Sequence, residues 1–146
     1  MTVQTDTVLK MTRVIKAPPA TVFSAWTDPR KMSRWCAPEG AECAAVEVDL
    51  QVGGSYHIGM TSPEGEYNAR GVYREIDPPS RLVYTWRWDE EEHDCGETLV
   101  TVEFKDLGGS TEVVLTHAGF PNAEARDGHD QGWTSCLGRL DGLLAD

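Results

Sequence analysis

The most versatile side chain for chemistry in this sequence is His117, which stands near the end of an alternating apolar run. Val113 and Leu115 share its parity, so a strand would place all three side chains on one face. A histidine titrates near neutrality, and in a pocket it can orient a ligand or transfer a proton. The other interpretation is a buried histidine that is hydrogen-bonded within the structure, and the pattern favours this second interpretation.

A second candidate is Arg13, whose neighbours on the same strand face are Met11 and Ile15. If that face is buried, the guanidinium must be paired with a negative charge. The sequence leaves two kinds of partner open, the carboxylate of a ligand or a structural ion pair with Glu47 or Asp49. The structural ion pair is the favoured interpretation.

Aromatic side chains are the most numerous candidates for a binding site. Tyr84, Trp86 and Trp88 alternate along one predicted strand, so they share a face. Rings of this size either fill a core or line a ligand pocket, and the sequence does not decide between the two. The candidate ligand-binding residues are Trp35, Tyr56, Tyr84, Trp86, Trp88, Phe120, Trp133 and Leu137, together with His117 and Arg13.

Metal sites and activated nucleophiles have little support in the sequence. His93 and Cys95 are two residues apart, but a zinc site needs three or four protein ligands, and no other histidine or cysteine has a matching spacing. The acidic run at 89–92 lacks the order of a calcium loop, and we interpret it as a solvated hairpin tip. Neither a G-x-S-x-G nor a G-x-G-x-x-G motif occurs. We therefore expect no metal and no cofactor, and enzyme activity is the less favoured prediction.

The elements that must position these side chains begin with one strand and two short helices. A strand is predicted over residues 7–16, and Pro18-Pro19 ends it and opens the first helix. Asp28-Pro29 then predicts a second helix, with Asp28 as the N-cap and the proline at the first helical position.

Alternating runs follow, and each predicts a strand because its apolar residues recur with a period of two. Turn residues such as Gly53-Gly54 and Gly108-Gly109 separate the runs. The predicted strands are centred on residues 43–50, 56–60, 67–76, 82–88, 100–104 and 113–117.

The last predicted element is an amphipathic helix that follows Gly128-His129-Asp130, after a separate short turn near 122–126 for which a helical conformation is left open. The order is therefore β-α-α-β-β-β-β-β-β-α, which indicates an α+β fold with space for a ligand between the sheet and the final helix. The helix has one apolar face, made by Trp133, Cys136, Leu137, Leu140 and Leu144.

Length and charge restrict the classes of partner. The 146 residues predict a single domain over 1–146, and a formal net charge of −11 argues against nucleic acid or an anionic membrane as a partner. No run approaches the roughly 18 apolar residues that span a bilayer, and the first residues lack a signal-peptide core. We expect a cytoplasmic protein with four free thiols, and exposed sheet edges make a homodimer possible.

Four stretches together resemble the family of homologues of the activator of heat-shock protein 90 ATPase, within the START-like (SRPBCC) superfamily. The resemblance covers about residues 8–144 and implies a helix-grip fold. In that fold, a curved antiparallel sheet of six or seven strands grips a long C-terminal helix, and ligand pockets lie between the two. The stretches are APPATVFSAWTDPRKMSRWCAP (17–38), DLQVGGSYHIGM (49–60), GVYREIDPPSRLVYTWRW (71–88), and LTHAGFP with GWTSCLGRL (within 115–140).

Three functions are open at this point. The favoured one is binding of a small hydrophobic or amphipathic molecule between the sheet and the C-terminal helix. The second, implied by some START-like relatives, is an enzyme of the cyclase, dehydratase or hydrolase type that uses His117 in the pocket. The third, implied by the family name, is a co-chaperone-like module that engages a partner through its acidic surface.

Overall fold

The computed structural model describes residues 7–38, 40–91 and 93–144. The α+β class and the predicted order of elements are confirmed within these ranges. The elements are β1 (Val8–Ile15), α1 (Pro19–Thr27), α2 (Pro29–Met32), β2 (Glu42–Val48), β3 (Ser55–Ser62), β4 (Gly65–Asp77), β5 (Arg81–Trp88), β6 (Thr98–Asp106), β7 (Thr111–Ala118) and α3 (Ala123–Leu144).

The strands form one antiparallel sheet in the order β1-β7-β6-β5-β4-β3-β2. Each strand from β2 to β7 pairs with its neighbour in sequence, and β1 joins the other side of β7, so β1 and β2 are the two edges. The helix α3 packs on the inner face, where the rings of Trp86 and Trp133 have centroids 5.7 Å apart. This is the helix-grip arrangement that the resemblance implied.

The inner face of the sheet carries the core that the alternation predicted. Val100, Val102 and Phe104 on β6 are buried, and Leu115 on β7 is completely buried. Leu140 of α3 is also fully inaccessible to solvent. Each buried side chain of this size stabilises the fold by about 1.5–3 kcal/mol relative to an exposed one.

The two short helices close one end of the sheet as their cap signals predict. The Oδ1 atom of Asp28 accepts a hydrogen bond of 3.0 Å from the backbone N–H of Arg30, so Asp28 caps α2. Trp26 on α1 packs against Trp35, with ring centroids 4.6 Å apart, and against Phe104 at 5.6 Å. These contacts join the helices to the core.

The helix α3 begins at Ala123, five residues before Gly128, so the predicted start was wrong. The segment that we predicted as a separate turn is the first turn of the same helix. Asn122 ends the preceding loop, and its Oδ1 accepts from the N–H of Ala125 at 2.9 Å while its carbonyl accepts from the N–H of Arg126 at 3.2 Å. A cap of this kind stabilises a helix by about 1 kcal/mol, which offsets the roughly 1 kcal/mol that Gly128 costs inside α3 relative to alanine. No helix in the described ranges, α3 included, is long and apolar enough to cross a membrane.

The acidic loop between β5 and β6 is tied to the sheet at its base. Glu90 accepts hydrogen bonds from the backbone and side-chain nitrogens of Asn68, at 2.7 and 2.9 Å, and Asp89 pairs with Arg70 at 2.6 Å. Glu92, the last residue of the predicted hairpin tip, lies outside the described residues. The tip is therefore less free than a solvated loop because its first carboxylates bind to β4.

A close approach of side chain and backbone requires Gly71 in β4. Tyr56 on β3 lies opposite Gly71, and its hydroxyl reaches across to donate to the carbonyl oxygen of Thr85 on β5, at 2.5 Å. The backbone N–H of Val72 donates to the Thr85 hydroxyl at 2.8 Å. A Cβ atom on Gly71 would stand 1.9 Å from the Thr85 oxygen and 2.6 Å from the Tyr56 ring. Only glycine lets the tyrosine connect β3 to β5.

We predict that Gly71→Ala lowers the free energy of unfolding by about 3 kcal/mol because the backbone of β5 and the Tyr56 ring must both move. Gly59→Ala is the matched control within the sheet. Its new Cβ would meet only side chains, Asn68 at 3.3 Å and the His57 ring at 3.6 Å, so we expect a loss below about 1 kcal/mol. Urea denaturation measures both, and equal losses would contradict the close approach.

Candidate functional site

A cavity of about 1020 Å³ lies between the inner face of β3–β5 and the helix α3. Its size is at the upper end of the range for small-molecule pockets. The ends of α1 and α2 close it on one side. Nine tryptophan and tyrosine rings line it, those of Trp26, Trp35, Tyr56, Tyr67, Tyr73, Tyr84, Trp86, Trp88 and Trp133.

The other end of the cavity opens to solvent at a polar mouth. The carboxylates of Glu64, Asp94 and Glu124 lie there, and no lysine or arginine is present in the lining among the described residues. The His93 ring packs on Tyr67, with centroids 4.8 Å apart, at the same end. We define the mouth as Ser62, Glu64, His93, Asp94, Pro121, Asn122, Glu124 and Gln131.

Three tyrosines from adjacent strands form one cluster inside the cavity. The ring of Tyr56 lies 5.6 Å from Tyr73 and 5.4 Å from Tyr84. Burial raises the pKa of each phenol, so all three remain protonated at neutral pH. The Tyr84 oxygen accepts a hydrogen bond of 3.1 Å from the indole N–H of Trp26. The cluster is therefore a neutral, polar-tipped wall.

Trp86 differs from the other tryptophans in its hydrogen bonding. The side chain is 7% exposed, and its indole N–H is buried without a partner among the described residues. Its ring packs against Tyr56, Trp88 and Trp133 with centroids 6.4, 5.4 and 5.7 Å away. All four of these residues line the cavity.

His117 is completely buried and lies outside the cavity lining. Its Nδ1 accepts from the indole N–H of Trp133 at 3.0 Å, and its Nε2 lies 2.6 Å from the Thr98 hydroxyl. Since that hydroxyl donates to the carbonyl of Trp86 at 2.8 Å, Nε2 must carry the proton. Burial, with a smaller contribution from the nearby His129, lowers the pKa of His117 to about 2. Neither ring nitrogen is left for a ligand or a proton transfer.

His129 on α3 lines the cavity and was missed by the sequence reasoning. Its Nδ1 donates to the carbonyl of Ala125 at 2.7 Å, and its Nε2 accepts from the indole N–H of Trp88 at 2.9 Å. Burial lowers its pKa, so the ring is held in the neutral form. His129 lies four residues before Trp133 and therefore on the same face of the helix. Extending the predicted helix by one turn toward its N-terminus would have placed His129 on that face.

Tyr73 was also missed, although the signal was present. Polar Arg70 and Arg74 in β4 are exposed, while Ala69 and Tyr73 on the other parity are buried. Strict alternation of side chains along this strand predicts that Tyr73 points inward, beside Tyr84, with which it pairs in the sheet.

The remaining predicted site residues fall into two groups. Arg13 lies outside the lining and pairs with Asp141 of α3 at 3.2 Å, so neither Glu47 nor Asp49 is its partner. The physical reason is distance, because β1 and β2 are opposite edges of the sheet. Phe120 and Leu137 are core residues outside the lining, whereas the cavity wall includes Trp35, Tyr56, Tyr84, Trp86, Trp88 and Trp133.

The buried neutral His117 predicts a pH dependence of stability. The unfolded chain binds a proton at this residue below its ordinary pKa of 6.5, whereas the folded chain does not until about pH 2. Stability is therefore fully present above pH 6.5 and falls as the pH is lowered. Between about pH 7.5 and about pH 5, we expect His117 alone to account for a loss of about 2 kcal/mol.

The test compares chemical denaturation of the wild type and His117→Gln over that pH range. Glutamine can accept from Trp133 and donate to Thr98 but does not titrate, so the variant should lose less stability on acidification. Parallel profiles for the two proteins would contradict the assignment.

Comparisons with known proteins agree with this architecture. The family model described as Activator of Hsp90 ATPase homolog 1-like protein matches residues 16–145. No curated protein matches the sequence.

Solved structures from several bacteria share the fold. A protein from Chromobacterium violaceum is 28% identical, with 97% of this chain and 99% of the other covered and a TM-score of 0.89. The AHSA1 protein from Silicibacter pomeroyi is 28% identical over 94% and 97% of the two chains, with a TM-score of 0.82. A putative uncharacterized protein from Rhizobium leguminosarum is 28% identical over 94% and 93%, with a TM-score of 0.81. With the family model matched over most of its length, this chain belongs to the Activator of Hsp90 ATPase homolog 1-like family, within the START-like superfamily.

Proposed function

We propose that this protein binds a small hydrophobic or amphipathic molecule in the cavity between the sheet and α3. The observation that carries the proposal is the cavity itself, about 1020 Å³ in volume, with nine tryptophan and tyrosine rings in its wall and a polar mouth. Apolar surface that a ligand brings into such a space leaves water, which favours binding in proportion to the area buried.

Two glycines of α3 support the proposal because they leave this space unfilled. Gly128 and Gly132 line the cavity on the same helical face as His129 and Trp133. A Cβ atom placed on either glycine meets nothing within 4 Å. Glycine inside a helix costs about 1 kcal/mol relative to alanine, and in return these positions leave volume next to the sheet.

The enzyme alternative rested on His117, and its two nitrogens are both occupied by protein partners. The thiols of Cys36 and Cys136 line the cavity, but burial raises the pKa of each, so they are protonated at neutral pH.

The co-chaperone alternative would act through the surface, and faster ATP turnover by a partner chaperone would be its signature. Among the described features, the cavity favours ligand binding over both.

We predict that Gly132→Leu reduces ligand affinity at least about tenfold because the new side chain enters the cavity, while the helix gains stability. Gly138→Leu is the matched control, because Gly138 is a helical glycine with open space around it that lies outside the lining.

Native mass spectrometry beside the denatured mass provides the measurement. Wild type and Gly138→Leu should carry the same non-covalent adduct, or bind the same apolar compounds in a thermal-shift screen, and Gly132→Leu should not. Equal binding by all three proteins, or a wild type that carries no adduct and binds no apolar compound, would sink the proposal.

A further inference from the structure

We infer that the ligand is an elongated, uncharged molecule whose inner end carries an oxygen acceptor, such as a carbonyl group, that accepts a hydrogen bond from the hydroxyl of Tyr73. This inference rests on the proposed function and specifies the class of molecule that the cavity takes. It makes Tyr73 the polar anchor at the closed end of the cavity.

The Tyr73 hydroxyl differs from those of the other two buried tyrosines. The hydroxyl of Tyr56 donates to the carbonyl of Thr85, and that of Tyr84 accepts from the indole N–H of Trp26. The Tyr73 hydroxyl has no hydrogen-bond partner in the described part of the chain. It is therefore a donor that the protein itself does not use.

The oxygen of Tyr73 is open to the cavity. Among the described residues, the only buried side-chain nitrogen or oxygen without a partner is the indole nitrogen of Trp86, which its neighbours enclose. Since the Tyr73 oxygen lacks a partner but is not one of the enclosed atoms, it retains accessible surface. Tyr73 lies on the inner face of β4 and lines the cavity, so a molecule held there can reach this oxygen.

Tyr73 lies at the closed end of the cavity, far from the mouth. Its ring is 6.1 Å from that of Tyr84, which is tied to Trp26 of α1. Tyr67, whose ring contacts His93 at the mouth, lies on the same strand, at an earlier position. At about 3.3 Å per residue, the stretch from Tyr67 to Tyr73 spans about 20 Å. A ligand that extends from the mouth to Tyr73 is therefore elongated.

The surroundings of Tyr73 favour an uncharged group. Burial raises the pKa of this phenol, so it is a neutral donor. The described lining has no lysine or arginine, and its carboxylates, Glu64, Asp94 and Glu124, lie at the mouth. A carboxylate or an ammonium group buried beside Tyr73 would have no counter-ion, which is strongly unfavourable.

The preference for an acceptor follows from what an apolar ligand would do to the same hydroxyl. In an empty cavity, water can bond to Tyr73. A wholly apolar ligand displaces that water and leaves the donor unpaired, whereas a ligand oxygen replaces the lost hydrogen bond. The cost of an unpaired buried donor therefore distinguishes the two kinds of ligand.

Three matched probes test the inference by calorimetry: 4-acetylbiphenyl, 4-isopropylbiphenyl and biphenyl-4-carboxylate. They share an elongated ring system and differ in one terminal group of similar size, which is a carbonyl acceptor, an alkyl group or an anion. We expect the carboxylate to bind at least about tenfold more weakly than 4-acetylbiphenyl to the wild type.

The Tyr73→Phe variant tests the assignment to one atom. It removes the hydroxyl without breaking a hydrogen bond among the described residues, so it should fold, and its melting temperature verifies this. We expect it to bind 4-acetylbiphenyl about five- to tenfold more weakly than the wild type does. Its affinity for 4-isopropylbiphenyl should stay within about twofold. Gly138→Leu, outside the cavity, should leave both affinities unchanged.

Infrared spectroscopy of the bound ketone provides a second measurement. A hydrogen bond lowers the stretching frequency of a carbonyl group. The frequency of 4-acetylbiphenyl should therefore be lower on the wild type than in an apolar solvent, and Tyr73→Phe should reverse that shift. This readout reports the hydrogen bond itself rather than a change in packing.

The outcomes separate the two proposals. An equal effect of Tyr73→Phe on both uncharged probes, or a carbonyl frequency on the wild type equal to that in the apolar solvent, would overturn the role of Tyr73 while leaving the binding function intact. Tighter binding of the carboxylate than of 4-acetylbiphenyl would overturn the uncharged class.

The wild-type adduct decides the case in which none of the three probes binds. An adduct that carries an uncharged oxygen and is lost from Tyr73→Phe would support the inference, and an adduct without such an oxygen, or one that Tyr73→Phe retains, would overturn it. If no probe binds and the wild type carries no adduct, both proposals fail.

Discussion

The position of α3 over the sheet depends on a chain of buried hydrogen bonds. Trp133 donates to His117, His117 donates to Thr98, and Thr98 donates to the backbone carbonyl of Trp86. Each group in this chain is buried, and each would be costly if it lost its partner. The chain joins α3 to β7, β6 and β5, and it sets the separation between helix and sheet that the cavity requires. A second contact, from Trp88 to His129, fixes the same helix one turn earlier.

Polar atoms and empty space are thus arranged on opposite sides of one layer of rings. On the side toward β6 and β7, the imidazole of His117, the hydroxyl of Thr98 and the indole of Trp133 are hydrogen-bonded to one another. On the side toward β3 and β4, the tyrosines, Trp86 and the helical glycines leave volume. Trp133 and Trp86 line the cavity and also take part in the hydrogen-bonded chain, so the chain orients two side chains of the cavity wall.

Strand parity and cap signals predicted most of the fold from the sequence. The alternation of Tyr84, Trp86 and Trp88 placed three wall residues on one face, and Asp28-Pro29 predicted the start of α2. The interpretation of His117 as a buried, hydrogen-bonded residue was the favoured one, and its two partners support it. The partner of Arg13 could not be predicted. The sequence does not show that the end of α3, with Asp141, lies beside the edge strand β1.

The unpaired state of Trp86 was also beyond the sequence, because it depends on where every neighbouring acceptor points. The start of α3 was missed for a simpler reason, since Gly128 resembles a helix boundary while Asn122 supplies the true cap.

The pairing of β1 with β7 has a consequence for biosynthesis. Arg13 pairs in register with Val113, a hundred residues later, so β1 is made first and must remain without its sheet neighbour until β7 has emerged from the ribosome. Such a long-range closure is slow and leaves an unpaired edge exposed to other nascent chains. The aromatic wall stays open to water for longer, because α3 follows β7 in the chain. Expression at low temperature, or with holdase chaperones present, should therefore raise the yield of folded protein.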